Sequence, residues 1–237
     1  MYKTFTITIT NYLTQQAFMK KILILLLLSH IANLSFSQKI GSNFLIPTNL
    51  KNGDLIFQNL DCGALCDAIE SVTEGYKGIP LSHVGIIEIK KKRILIIEAI
   101  GSKVHKTPID IFLKRIVDSL GRPKIIIGRL LPNYAKLLPK ALLFCNKKIN
   151  VPYDDAFLPN NGKYYCSELL YDAFKYANQG IPFFALFPMT YKNKITSNFF
   201  EAWVDYFEAL KMTIPEGIDG CNPASIANDV KIEIFYK

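Results

Sequence analysis

A chain of 237 residues in which half the side chains are hydrophobic can bury one good core, or at most two small ones, and is not a disordered polymer. Its formal charge of +8 is thinly spread. The one dense basic run, Lys90-Lys91-Lys92-Arg93, reads as a solvated turn between strands, so no nucleic-acid surface is expected.

Part of the hydrophobic total sits near the start. Met19-Lys20-Lys21 is followed by an apolar run over residues 22–28 and then by small and polar residues to Gln38. This order of basic, apolar and small-residue regions is that of a signal segment. The apolar run is shorter than the roughly 20 residues a bilayer requires. Residues 1–37 are therefore expected to be a signal segment with its true start at Met19, rather than a retained membrane anchor. The mature chain would begin near Gln38 and act in the periplasm or outside the cell. Losing residues 1–37, with their three lysines and no acid, takes the formal charge from +8 to +5. With no internal repeat and no low-complexity linker, residues 38–237 are expected to form a single domain.

Export makes disulfides possible for the five cysteines, Cys62, Cys66, Cys145, Cys166 and Cys221, and the odd count leaves at least one thiol free. Cys62 and Cys66 lie four apart with no matching His or Cys pair, so no zinc site is expected. They read as small buried apolar residues.

In chain order, Lys51-Asn52-Gly53-Asp54 reads as a turn and Leu55-Ile56-Phe57 as a buried strand. A short helix is expected over residues 64–71, closed by Gly75, Gly78 and Pro80. Residues 82–89 and 94–99 form a hairpin around a four-residue loop, residues 90–93. If Ile89 pairs with Ile94, Gly85 faces Glu98 and His83 faces Ile100. Alternation then puts His83, Gly85 and Glu98 on one face and Glu88 on the other, with His83 and Glu98 as diagonal neighbours. A slip of one residue would destroy that relation. Residues 101–108, with His105, read as a polar loop, 108–115 as a short helix, 124–130 as a strand and 133–148 as a helix with Cys145 in its apolar side. From Cys166, Leu169, Leu170, Ala173, Phe174 and Ala177 recur at helical spacing until Gly180 and Pro182 stop the helix. Residues 183–187 are aromatic enough to wall a pocket, although core packing explains them equally well. A helix over 198–210, a helical turn at 224–228 and a strand at 232–236 finish the chain.

Cys166 stands where that central helix begins. Unpaired N–H groups and the helix dipole favour a thiolate there, and the same N–H groups could hold an oxyanion. A base would have to come from His83 or His105, the histidines beyond the signal segment. His83 has Glu98 to orient its imidazole and stabilise the charged form, as the third member of a triad does.

Four pieces in one order, Gly53-Asp54-Leu55-Ile56-Phe57, Ser82-His83-Val84-Gly85-Ile86, Pro152-Tyr153-Asp154 and Tyr165-Cys166-Ser167-Glu168-Leu169, resemble the YaeF/YiiX family of permuted papain-like cysteine amidases, relatives of NlpC-type cell-wall peptidases with the halves exchanged. The resemblance spans roughly residues 49–180, with an echo at 220–227. It implies an α+β, permuted papain-like fold in which the Cys166 helix packs on a central antiparallel sheet. It further implies Cys166 as nucleophile, His83 as general base, Glu98 as the third polar member, and Tyr153 and Tyr165 as substrate-binding or oxyanion residues. Asp54 would hold a structural hydrogen bond, and Glu168 would serve the helix rather than the chemistry. The expected reaction is hydrolysis of an amide, a peptidoglycan peptide or a similar small peptide, through a thioester, with no metal and no cofactor. Two other functions fit the same fold. One is a lipid-directed thiol acyltransferase or hydrolase, which a groove lined by Phe183, Phe184 and Phe187 would favour. The other is a binding protein without turnover.

Overall fold

The computed structural model describes residues 49–236. The expected signal segment, the Met19 start and the cleavage near Gln38 lie outside them. The described residues fall within one compact unit, and no helix among them is long and apolar enough to cross a membrane.

The frame is a six-stranded antiparallel sheet built from β1 (Leu55–Gln58), β2 (His83–Lys90), β3 (Arg93–Ile100), β4 (Lys103–Pro108), β5 (Ile125–Leu130) and β8 (Ile232–Tyr236), in the spatial order β4-β3-β2-β1-β5-β8. Between these strands the chain forms α1 (Ala64–Val72), α2 (Ile109–Lys114), a 3-10 turn (Pro132–Leu137) leading into α3 (Leu138–Lys147), α4 (Cys166–Ala177), α5 (Glu201–Ala209) and α6 (Pro223–Ala227). Two short strands, β6 (Phe187–Pro188) and β7 (Asp219–Gly220), pair apart from the main sheet.

Alternation along the strands builds a core on each side of the sheet. Leu55, Phe57, Val84, Ile86 and Ile97 meet Leu169, Leu170 and Phe174 of α4 on one side. Ile56, Ile87, Ile96 and Ile127 meet Phe112 and Leu113 of α2 on the other. Each such side chain, taken fully out of water, contributes about 1.5–3 kcal/mol. This is how α4 is seated firmly enough to aim its first residue. A third, aromatic cluster of Tyr191, Trp203 and Phe207 ties α5 to Ala68 of α1.

The β2–β3 register is the expected one, with Ile89 opposite Ile94 and Ile86 opposite Ile97. The loop is shorter than expected. Lys90 and Arg93 still pair, and Lys91 and Lys92 alone make the turn, both at positive φ (49° and 66°). Positive φ at both central residues matches the right-handed twist of the flanking strands.

Four further expectations change. Residues 103–108 are a strand, β4, where a polar loop was expected. Being an edge strand it is polar by design, burying only Val104, Thr107 and little else, so hydrophobic alternation does not announce it. The chain at 150–153 covers its outer edge through Asn150 N–H to Val104 O and Val104 N–H to Val151 O. Cys62 and Cys66 are joined in a disulfide, not separate apolar residues. Gly63, the N-cap of α1 at φ 75°, turns the chain so that the two Cα atoms stand 5.2 Å apart, within disulfide reach. The 133–148 segment is broken into the 3-10 turn and α3 by Pro139, which favours a helix start. Finally, Phe183 and Phe184 do not wall a pocket. They are buried against Phe174 of α4, with ring centroids 5.4 Å and 5.2 Å from it.

Candidate active site

His83 is the first residue of β2 and pairs across with Gln58, the last of β1. Two residues on, Gly85 leaves no room for a Cβ, which would lie 2.5 Å from Ile96 Cγ2 and 3.3 Å from Glu98 Cβ. The missing side chain is what lets β3 bring Glu98 close beneath the imidazole. His83 Nε2 donates to Glu98 Oε2 at 2.6 Å, and both side chains are buried.

Glu98 is enclosed by donors. Arg115, just past α2, bonds it with both arms of the guanidinium, Nη1 to Oε2 at 2.9 Å and Nη2 to Oε1 at 2.7 Å. The Thr107 hydroxyl of β4 donates to Oε1. Burial alone would raise this carboxyl. The His83 and Arg115 hydrogen bonds and charges outweigh burial and hold it well below the usual carboxylate range.

Cys166 opens α4, preceded by Tyr165 in extended conformation as N-cap with no side-chain cap. The first intrahelical bond runs from Leu169 N–H to Tyr165 O, so the N–H groups of Cys166, Ser167 and Glu168 have no partner within the helix. Cys166 is buried, and its side chain acts on the His83 imidazole. With Nε2 committed to Glu98, Nδ1 is the ring nitrogen left for the sulfur. Burial pushes the imidazole down, but the hydrogen bonds to Cys166 and Glu98 win and raise it to about 9.

Cys166 lines a cavity of about 410 Å³, whose wall includes Tyr153, Phe157, Tyr165, Met189 and Trp203. Tyr153, held by its N–H to Ser102 O at 2.9 Å, lines the same cavity as Cys166. Burial first, and then negative charge at Cys166, raises its hydroxyl well above the ordinary tyrosine value, so it remains a donor. Tyr165 lines the cavity with its ring, while its hydroxyl accepts the Cys221 N–H at 3.3 Å. Ser167 Oγ donates to Cys221 O at 2.9 Å. Together these two bonds fasten the segment before α6 to the start of α4. Of the aromatic run at 183–187, only Phe187 reaches the cavity.

Thus Cys166, His83, Glu98 and Tyr153 come together, and Tyr165 joins them by its ring. His105 stays outside this group, about two-fifths exposed, with Nε2 3.8 Å from Glu98 Oε1. Asp54 has the structural bond expected of it, in a two-armed pair with Arg129 at 2.7 Å and 2.8 Å. Arg115, Thr107 and Cys221 escape a reading of the sequence. Arg115 follows a short helix and Thr107 sits on the unannounced edge strand, so neither carries a local signal. Among the described residues no cluster of three or more His, Cys, Asp or Glu side chains is placed to hold a metal ion.

No curated protein matches the chain. Among solved structures it is similar to the crystal structure of the metalloprotein YiiX from Escherichia coli O157:H7, at 20% identity and a TM-score of 0.63, over 79% of this chain and 97% of that one. That likeness concerns the fold. The family of permuted papain-like amidase enzymes, YaeF/YiiX, C92, matches over residues 49–236, from the Asn49 turn to the last described residue of β8, and the chain belongs to it.

Proposed function

We propose that the protein is an exported cysteine hydrolase that cleaves an amide through a Cys166–His83–Glu98 triad. The observation that carries this is the single imidazole bridging a thiol and a buried carboxylate at the wall of a cavity. An imidazolium beside a sulfur favours the thiolate. The sulfur attacks the carbonyl, and the oxyanion forms beside the unpaired N–H groups at the start of α4 and the Tyr153 hydroxyl. His83 passes its proton to the leaving amine and the C–N bond breaks, leaving a thioester. His83, now neutral, takes a proton from water, and the resulting hydroxide equivalent displaces the thiol. Glu98 keeps the ring in one tautomer and orientation throughout.

The family is one of amidases, which supports a peptide or similar amide, including a cell-wall peptide, as substrate. A second reading, an apolar acyl group on the electrophile, is favoured by the cavity wall. Its lining includes Ile69, Val72, Phe157, Phe187, Met189 and Trp203, and its charged members Glu74 and Lys194 stand 3.9 Å apart as a pair. Action outside the cytoplasm is supported by the Cys62–Cys66 disulfide, a bond that persists in oxidising compartments.

The test is labelling by a thiol-directed amidase probe. Cys166→Ala should lose labelling, and amide turnover should fall by at least about 10⁴-fold. His83→Ala should slow labelling strongly. Labelling that persists in Cys166→Ala removes the nucleophile, and equal rates with and without His83 remove the base.

A further inference from the structure

The Glu98 carboxylate serves two cations at once. Oε2 accepts from His83 Nε2 at 2.6 Å and from Arg115 Nη1 at 2.9 Å, so the imidazole and the guanidinium share one oxygen. Oε1 accepts from Arg115 Nη2 at 2.7 Å and from Thr107. Arg115 is itself fixed. Its guanidinium lies 4.9 Å over the Phe112 ring, and Nη1 also reaches Gln58 Oε1 at 3.4 Å. Gln58 in turn donates Nε2 to Phe112 O at 3.0 Å. A hydrogen-bonded frame from β1, β4 and α2 therefore surrounds a carboxylate with no solvent exposure at all.

The chemistry gives that frame a task. When His83 protonates the leaving group it becomes neutral. Glu98 would then be a buried anion without a counter-charge, a costly state. Arg115 keeps it paired at that step. By taking part of Oε2, Arg115 also weakens the pull of the carboxylate on the imidazolium. The polar and charged groups facing Glu98 are His83 from β2, His105 and Thr107 from β4, and Arg115 beyond α2. Cys166 of α4 faces His83 from its other side. Arg115 is the permanent cation among them.

We infer that Arg115 is a positioning residue that clamps Glu98 and, by sharing Oε2, limits how tightly the carboxylate holds the His83 proton, so that His83 can release it to the leaving group. This rests on the Cys166–His83–Glu98 reading.

The experiment follows the His83 imidazole by NMR pH titration in the full-length protein carrying labelled histidine, with the resonance assigned from His83→Ala. Arg115→Gln should raise the titration midpoint by about one pH unit, a tenfold tighter hold on the proton. Arg115→Lys, which keeps a charge but loses the fork, should fall between wild type and Arg115→Gln. It also decides the matter if the Gln variant does not fold. A midpoint at or below that of wild type in either variant overturns the inference. Iodoacetamide alkylation of Cys166, mapped by mass spectrometry, checks the reading underneath. Alkylation indifferent to His83→Ala sinks the triad and this inference with it. Alkylation that depends on His83, together with an unmoved midpoint in Arg115→Gln, sinks Arg115 alone.

Discussion

At the scale of single residues, the site depends on one absent side chain. Gly85 has no Cβ, and the space is taken by Ile96 Cγ2, with Ile97 O at 3.1 Å and Glu98 Cβ at 3.3 Å from where a methyl group would lie. Two of these neighbours are strand backbone or directly attached to it, so they cannot swing aside. Gly85→Ala is therefore expected to cost about 1–3 kcal/mol, as overpacking does. It should also slow Cys166 labelling, because the displaced atom leads to the carboxylate that orients His83. Denaturant unfolding and probe labelling on the same variant check both effects, and an unchanged unfolding midpoint would contradict the β2–β3 register. The His83–Glu98 pair was legible in the sequence because strand alternation has a fixed period of two, and a hairpin of known centre places every later partner. Arg115 and Thr107 were not legible. They reach Glu98 from a short helix and an edge strand, through long-range packing for which sequence spacing has no rule.

At the scale of elements, the least expected feature is the staple on α1. The strands buried on both faces and the amphipathic α4 declare themselves by hydrophobic pattern, but a disulfide between residues four apart depends on the turn at Gly63, whose conformation no hydrophobic pattern encodes. Cys66, in the first turn of α1, is buried while Cys62 is exposed, so the bond joins the surface loop to the start of the helix. Further along α1, Ile69 and Val72 face the cavity beside Cys166. Replacing both cysteines by serine should lower stability by about 2 kcal/mol, the loop-closure contribution of so short a ring. The loss should appear in denaturant unfolding of the non-reduced protein and vanish when both proteins are compared in excess dithiol. A difference that survives the dithiol would mean the serines, not the missing bond, cause it.

At the scale of the whole molecule, two buried groups tie stability to pH in the same direction. His83 is raised in the fold to about 9 from an ordinary 6.5. Its contribution is fully present below about pH 6.5 and is lost as pH rises through about 9. Glu168, in the first turn of α4, is an acid raised to about 8 from 4.5. Burial is the largest cause, followed by Asp154 and Asp172, and the Tyr165 and Asn160 N–H groups oppose the rise. One of its carboxyl oxygens has no hydrogen-bond partner. A raised acid favours its protonated form in the fold, so stability is lost between about pH 4.5 and pH 8 as the unfolded chain releases a proton that the folded one keeps. Glu98, lowered by His83 and Arg115, has the opposite sign, but its contribution is lost only on acidification below pH 4.5. Thermal stability should consequently decline from pH 5 to pH 9. Glu168→Gln, which cannot ionise, should gain in Tm over wild type by more at pH 8 than at pH 5. His83→Gln should flatten the decline that remains between pH 6.5 and pH 9. Melting curves across that range decide it. A wild-type Tm that rises toward pH 9 would show that neither group holds its proton through the fold, and a Glu168→Gln difference that does not depend on pH would show that Glu168 does not.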